Sequence, residues 1–110
     1  MNDCIFCKIA KHEIPKEFSW EDKDVMAFPD ITPISPIHIL IVPKKHTKDF
    51  MDLKDPLVFE KIKNVIQKMV KEQKLEDKGY RVVINGGGAQ IIDHLHFHLI
   101  GPLGKKVSME

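Results

Sequence analysis

The spacing of apolar positions divides this chain into elements before any single residue is considered. In residues 4–11, Ile5, Phe6 and Ile9 predict a short helix with Ile5 and Ile9, joined by Phe6, facing inward, stopped at Ile14-Pro15. Residues 18–21 and 25–28 read as two short strands joined by the polar turn Glu21-Asp22-Lys23-Asp24. Pro29, Pro33 and Pro36 then predict an extended, rigid loop. Residues 38–42 are continuously apolar after their histidine and rich in β-branched side chains, the pattern of a buried central strand, closed by Pro43.

The longest periodic stretch follows. Asp55 as N-cap and Pro56 in the first turn mark a helix start. Val58, Phe59, Ile62, Val65, Ile66, Met69 and Val70 form an apolar stripe opposite Glu60, Lys61, Lys63, Lys68, Lys71 and Glu72. That stripe is broad enough to face both a sheet and a second subunit. Gly79 is the predicted stop, residues 80–84 a strand, 85–90 a glycine-rich loop and 93–100 the last strand. Strands gathered around one long helix, with a short N-terminal one, define an α+β class with an antiparallel sheet of about five strands.

Composition narrows the class of protein. A length of 110 residues fits a single domain spanning 1–110, with a core modest enough for a second copy or a metal to help it. The chain is 43% hydrophobic and 30% charged, as expected for a soluble globular protein rather than a disordered one. Seventeen basic and sixteen acidic residues nearly cancel, so neither nucleic acid nor an anionic membrane is an expected partner. Arg81 is the lone arginine, so any phosphate must be held by backbone N–H groups, histidines or a local lysine. No leader or membrane span is legible, which makes a cytoplasmic location the expectation. There, Cys4 and Cys7 are thiols or metal ligands rather than a disulfide.

The chemistry is concentrated in His94-Leu95-His96-Phe97-His98. On a strand, alternation would set three imidazoles in a row on one face and Leu95, Phe97 and Leu99 on the other. Histidine has little β-propensity and is costly to bury unpaired, so this spacing points to function. Two chemistries compete. A His-x-His strand can hold zinc with an open position for water. Alternatively, crowded imidazoles keep one another neutral, and a neutral ring is a nucleophile toward phosphorus. The preceding Asn85-Gly86-Gly87-Gly88-Ala89-Gln90 favours the second, because glycines admit close approach and successive N–H groups can cradle a phosphate.

These residues resemble the histidine-triad (HIT) superfamily, and further stretches resemble its Hint branch: Phe28-Pro29-Asp30-Ile31, the run from Pro36 to His46, and the run from Lys78 to Asn85. The similarity extends from about Cys4 to Gly101. It implies a HIT-like fold, a homodimer with a sheet shared across both subunits, and hydrolysis or transfer through a nucleotidyl-histidine intermediate that requires no metal. By that resemblance His96 is the nucleophile toward the α-phosphorus of a nucleoside monophosphate conjugate, its tautomer set by the His94 carbonyl or a nearby group. His98 contacts a non-bridging oxygen, and His38 completes the imidazole cluster behind His96. Asn85, Gln90 and the Gly88-Ala89 backbone hold the phosphate. Asp30 accepts the ribose hydroxyls, although on the sequence alone it reads equally as a turn aspartate. Ile5, Phe6, Ile9, Phe28 and Leu40 form a slot for a purine, although periodicity alone makes them core.

The resemblance also implies that Cys4, Cys7, His46 and His94 form a closed structural zinc site separate from the nucleophile; reduced thiols or a redox pair are the alternatives. Three positions depart from the Hint pattern. Ile91 stands where a hydroxyl residue is usual, Ala89 where glycine is common, and Asp93 where an apolar residue precedes the first histidine. Asp93 is thereby placed to orient His94. Residues 104–110 lack the Trp-Pro tail of the best-known Hint proteins. The expected activity is that of a Hint-like purine nucleoside phosphoramidase. A dinucleoside polyphosphate hydrolase or nucleotidyl transferase is the enzymatic rival, and a nucleotide-binding regulatory module the non-enzymatic one. His12 reads as a solvated surface residue.

Overall fold

The computed structural model describes residues 4–104; the tail residues 105–110 lie outside them. Helix α1 (Ile5–Ala10) leads into β1 (Trp20–Glu21), β2 (Val25–Pro29) and β3 (Ile37–Pro43). Helix α2 (Pro56–Glu72) separates these from β4 (Arg81–Ile84) and β5 (Phe97–Gly101). The strands form one antiparallel sheet in the order β1-β2-β3-β5-β4, giving the expected α+β architecture. No described helix is long and apolar enough to cross a membrane.

Alternation along the strands decides what lies on each face. Val25, Ala27, Ile39, Ile41, Phe97 and Leu99 point to one side, where α2 presents Ile62, Val65, Met69 and Val70. Met26, Phe28, Leu40 and Val42 point to the other and pack under Phe6 and Ile9 of α1. Each fully buried Val, Leu, Ile, Phe or Met side chain among them stabilises the fold by about 1.5–3 kcal/mol. Within α1 the buried residues are Phe6, Cys7 and Ile9, while Ile5 is 44% exposed. The expectation for Ile5 is therefore corrected: the helix is only six residues long and seats its Phe6–Ile9 row on the sheet, which leaves Ile5 at the margin.

Helix α2 starts as read, with the Asp55 carboxylate accepting Leu57 N–H at 2.9 Å and Pro56 in the first turn. Its stripe divides. Ile62, Val65, Met69 and Val70 are buried, whereas Phe59 is 46% exposed and lines an apolar groove with Tyr80 and Val82 beside edge strand β4. The helix ends earlier than Gly79. Lys74 takes the left-handed conformation (φ 59°), its N–H donates to Lys71 O, and Leu75 N–H donates to Val70 O as Leu75 tucks into the core. Gly79 serves another purpose. At φ +81°, a Cβ there would fall 1.8 Å from the Gly104 carbonyl oxygen, so its glycine is required by backbone-to-backbone approach.

The last strand is shorter than its sequence pattern. Ile84, the final residue of β4, pairs with Phe97, and Pro43 at the end of β3 has no N–H to offer. Leu95 N–H donates instead to Thr47 O at 2.6 Å, so residues 93–96 run outside the ladder. Only His98 of the three histidines therefore sits on a strand.

Candidate active site and metal centre

The sheet register creates the site. Phe28, Leu40, His98 and Val83 face one another across four strands, and His38 lies opposite Ile100, diagonal to His98. These side chains share the α1 face of the sheet. Phe6 then bridges to the residues beyond the ladder, its ring centroid 5.2 Å from that of His96 and 5.7 Å from that of His94. The His96 and His98 rings lie 5.0 Å apart.

Main-chain atoms settle which nitrogen of each ring carries a proton, because a carbonyl only accepts and an N–H only donates. His96 Nδ1 lies 2.8 Å from His94 O, so Nδ1–H donates and Nε2 keeps its lone pair. His94 Nε2 lies 2.7 Å from Pro43 O, so Nε2–H donates and the Nδ1 lone pair is free for another partner. Ile34 N–H donates to His38 Nδ1 at 3.2 Å, which places the His38 proton on Nε2. That proton faces His98 Nδ1 at 2.9 Å and Asp30 Oδ2 at 3.3 Å. His98 thus accepts at Nδ1 and presents Nε2–H. The His94 carbonyl thus meets the His96 ring, and His38 meets His98.

His94 is fully buried and His96 is 8% exposed. Burial chiefly, then repulsion from His46 and His96, pushes His94 down to about 4 against the opposing pull of the Pro43 carbonyl. His98 is also lowered, first by burial and then by His96 and His38, with Asp30 opposing. Both rings are neutral at physiological pH. In the unfolded chain each titrates near 6.5. Below that value the unfolded chain binds more protons than the folded one, so stability falls as the solution is acidified. The urea midpoint of metal-free protein is expected to drop progressively from pH 7 toward pH 5. A flat or rising midpoint would contradict the neutral assignments.

The remaining expected ligand residues fall into place unevenly. Asp30 Oδ1 accepts Thr32 N–H at 3.0 Å and the Thr32 hydroxyl at 3.3 Å, a turn-stabilising role that leaves further lone pairs for a diol. Phe6, Ile9, Phe28 and Leu40 are core residues on the histidine face, and Lys16 Nζ lies 5.0 Å over the Phe28 ring. Ile5 stands apart from them, in a cleft with Cys4, His46, Lys48, Ile91, Ile92 and Asp93. Asn85 is exposed at the mouth of the glycine-rich loop. Within that loop, Gly88 N–H donates to Gln90 Oε1 at 3.0 Å and Ala89 N–H to Gly86 O at 3.1 Å. The donors expected of Gly88 and Ala89 are therefore engaged in shaping the loop. Ile91 is 97% exposed, and His12 is paired with Glu21 at 2.6 Å.

A second cluster lies at the far end of the row. One ligand atom each from Cys4, Cys7, His46 and His94 lies within 4.8 Å of the others. Cys4 Sγ and His94 Nδ1 are 3.2 Å apart, Cys7 Sγ and His46 Nδ1 3.2 Å, and Cys7 Sγ and His94 Nδ1 3.6 Å. A tetrahedral ion with bonds of about 2.0–2.3 Å needs its ligands at about this separation. The Pro43 carbonyl also holds His94 in the tautomer a metal requires, the outer-shell arrangement usual for ligating histidines. The donor set fits zinc. Asp93 is exposed and makes no hydrogen bond to His94 among the described residues; the Pro43 carbonyl orients that ring instead.

Asp30, His38 and His98 also converge. A cation on His38 Nε2 would drive the proton to Nδ1, directly against Ile34 N–H, so this trio suits hydrogen bonding better than metal. His94 belongs to the Cys4, Cys7 and His46 donor group, which does not include His96. Sequence reasoning missed the Pro43 carbonyl, the Ile34 N–H and Asp49. The first two have no side-chain signature, and Asp49 lies 38 residues before its partner Gly87 with no motif to connect them.

This topology and this row of histidines recur in known proteins. The family model described as "Scavenger mRNA decapping enzyme C-term binding" matches residues 3–109. The chain belongs to that family of HIT-like domains. It is 40% identical over 110 residues to the 14 kDa zinc-binding protein of Brassica juncea, covering 90% of this chain and 92% of the relative. It is 40% identical over 105 residues to the adenosine 5′-monophosphoramidase HNT1 of Candida albicans, covering 88% and 68%. A histidine triad protein from Clostridium difficile superposes with a TM-score of 0.87 at 43% identity, covering 100% of this chain and 97% of that one. A HIT family hydrolase from Legionella pneumophila superposes with a TM-score of 0.84 at 42% identity, covering 90% and 92%.

Proposed function

We propose that this protein is a Hint-like purine nucleoside phosphoramidase in which His96 carries the nucleotide. The carrying observation is the His96 Nδ1–H bond to His94 O, which leaves the Nε2 lone pair as the reactive atom. Nε2 attacks the α-phosphorus, and the P–N bond breaks as its nitrogen takes up a proton from solvent, one that the water consumed in the second step returns, and departs as the amine. The ring becomes cationic, which turns its bond to the His94 carbonyl into a charge-assisted one. His98 Nε2–H donates to a non-bridging oxygen as charge develops there. Water then attacks phosphorus, the His96–P bond breaks, and the nucleoside monophosphate leaves with the neutral ring restored.

Asp30 is proposed to accept ribose hydroxyls, the Phe6/Ile9/Phe28/Leu40 cluster to floor the purine site with Ile5 at its margin, and Asn85, Gln90 and the Gly88-Ala89 segment to hold the phosphate. With Gly88 and Ala89 N–H already engaged, that segment acts mainly by shape. Zinc at Cys4, Cys7, His46 and His94 would tie α1 to the sheet without entering the reaction; the chemical relatedness to a phosphoramidase and to zinc-binding proteins supports both assignments. The apolar groove beside β4 supports a homodimer that extends the sheet, and the match of the family model over residues 3–109 supports a single HIT domain; we propose that it acts in the cytoplasm.

Side-by-side turnover of adenosine 5′-phosphoramidate and a diadenosine polyphosphate tests the reading. The phosphoramidate is expected to be the better substrate in kcat/KM. Preference for the polyphosphate would make the protein a dinucleotide hydrolase or nucleotidyl transferase. Tight nucleotide binding with no turnover of either would make it a regulatory module, consistent with the missing hydroxyl at Ile91.

A further inference from the structure

Residues 46–49 run beside residues 87–95 and are laced to them at every position. The His46 ring meets the His94 ring with centroids 4.9 Å apart. Thr47 O accepts Leu95 N–H at 2.6 Å, Lys48 O accepts from Gln90 Nε2 at 3.2 Å, and Asp49 Oδ1 accepts Gly87 N–H at 2.9 Å. Asp49 is itself braced. Its N–H donates to Asp52 Oδ2 at 3.2 Å and its Oδ2 accepts Met51 N–H at 3.4 Å, at the start of the 3-10 turn Phe50–Asp52. Gly86 makes room for the carboxylate: a Cβ there would lie 2.8 Å from Asp49 Oδ1.

A carboxylate on a glycine-rich loop would repel a phosphate if both used the same donors. Gly87 N–H is held by Asp49, Gly88 N–H by Gln90 and Ala89 N–H by Gly86 O, whereas the N–H groups of Gln90 and Ile91 have no protein acceptor among the described residues. The loop thus has one set of donors turned to its own support and a following pair left over.

We propose that Asp49 is a positioning residue that anchors the glycine-rich loop through Gly87, so that the Gln90–Ile91 backbone is presented to the substrate phosphate. The proposal rests on the phosphoramidase reading for its substrate, though not for the anchor itself. Gly86 is part of the same device, since any side chain there displaces the carboxylate. Burial does not hold Asp49 in its charged form; the Gly87 N–H is the main influence lowering it, with Met51, Phe50 and Gln90 adding to that.

The test uses full-length, metal-loaded protein with Asp49→Ala, Asp49→Asn, Asp52→Ala, Gly86→Ala and the Asp49→Ala/Gly86→Ala pair. Three readouts are taken: kcat and KM for adenosine 5′-phosphoramidate, the Kd for AMP, and amide exchange at Gly87 and Gly88 without ligand. Asp49→Ala should raise KM and the AMP Kd about tenfold, the scale of one charge-assisted hydrogen bond, with little change in kcat. Asp49→Asn keeps an acceptor and should restore most of this. Asp52→Ala removes a brace of Asp49 but keeps the carboxylate that holds Gly87, so it should lower Tm and raise KM clearly less than Asp49→Ala does. Gly86→Ala should raise KM by itself and add nothing to Asp49→Ala. Amide exchange at Gly87 and Gly88 should quicken in Asp49→Ala. An unchanged or lower KM in Asp49→Ala, an equal effect from Asp52→Ala, or unaltered amide exchange would overturn the proposal. Were the wild type to bind no nucleotide, the functional reading would fall, and the exchange rates would still decide whether Asp49 holds the loop.

Discussion

Replacing His96 by alanine or asparagine is expected to lower kcat for adenosine 5′-phosphoramidate by about 10⁴-fold or more, the scale seen when a nucleophile is deleted from a covalent mechanism. The Kd for AMP should stay within a few-fold. The contrast follows from the position of the ring. His96 is 8% exposed and contacts Phe6 and His98, so a smaller side chain leaves the surrounding walls in place while removing the nitrogen proposed to attack. His98→Ala should be less severe, because a donor to one oxygen is lost and the bond-forming atom is kept; about 10²–10³-fold is expected. Rapid quenching with a radiolabelled substrate checks the assignment: label must reside on His96 and on no other residue.

The second large effect concerns the metal centre. Cys7→Ala removes a buried thiol, proposed as a zinc ligand, that lies near both His46 and His94. Zinc content should fall from about one ion per chain to a trace, and the loss should cost roughly 2–4 kcal/mol, or about 10–20 °C in Tm for a domain of this size. The cost is smaller than for a zinc finger because the two apolar clusters survive, and larger than for an ordinary cysteine because α1 loses its tie to residues 46 and 94. Protein stripped by a chelator should still turn over substrate at temperatures where it remains folded. Loss of the chemistry on chelation, with folding intact by circular dichroism, would point to a metal-activated water instead.

The sequence made some of this legible for identifiable reasons. Apolar alternation in β2 and β3 and the capped periodicity of α2 each reflect burial on one face, so their positions followed from pattern alone. The imidazole row was visible as chemistry, yet its geometry was not. Residues 93–96 alternate like a strand, but Pro43 and the end of β4 deprive them of ladder partners. Ile5 fits the helical period, yet α1 is too short to bury a second row. Gly79 resembled a helix stop, while the stop was made by Lys74, a residue with no special claim to positive φ. Asp49 was hidden because its role exists only after two distant segments meet.

The atoms that polarise the imidazoles belong to Pro43, His94 and Ile34 as peptide groups, not as side chains. An alanine scan would therefore pass over them, reporting at most the packing of each residue. Exchanging single amides for esters by chemical synthesis would reach them: an ester at position 34 deletes the donor to His38, and one that weakens the carbonyl of residue 94 loosens the grip on the attacking ring. The proton inventory of this cavity is thus written into the chain's trajectory.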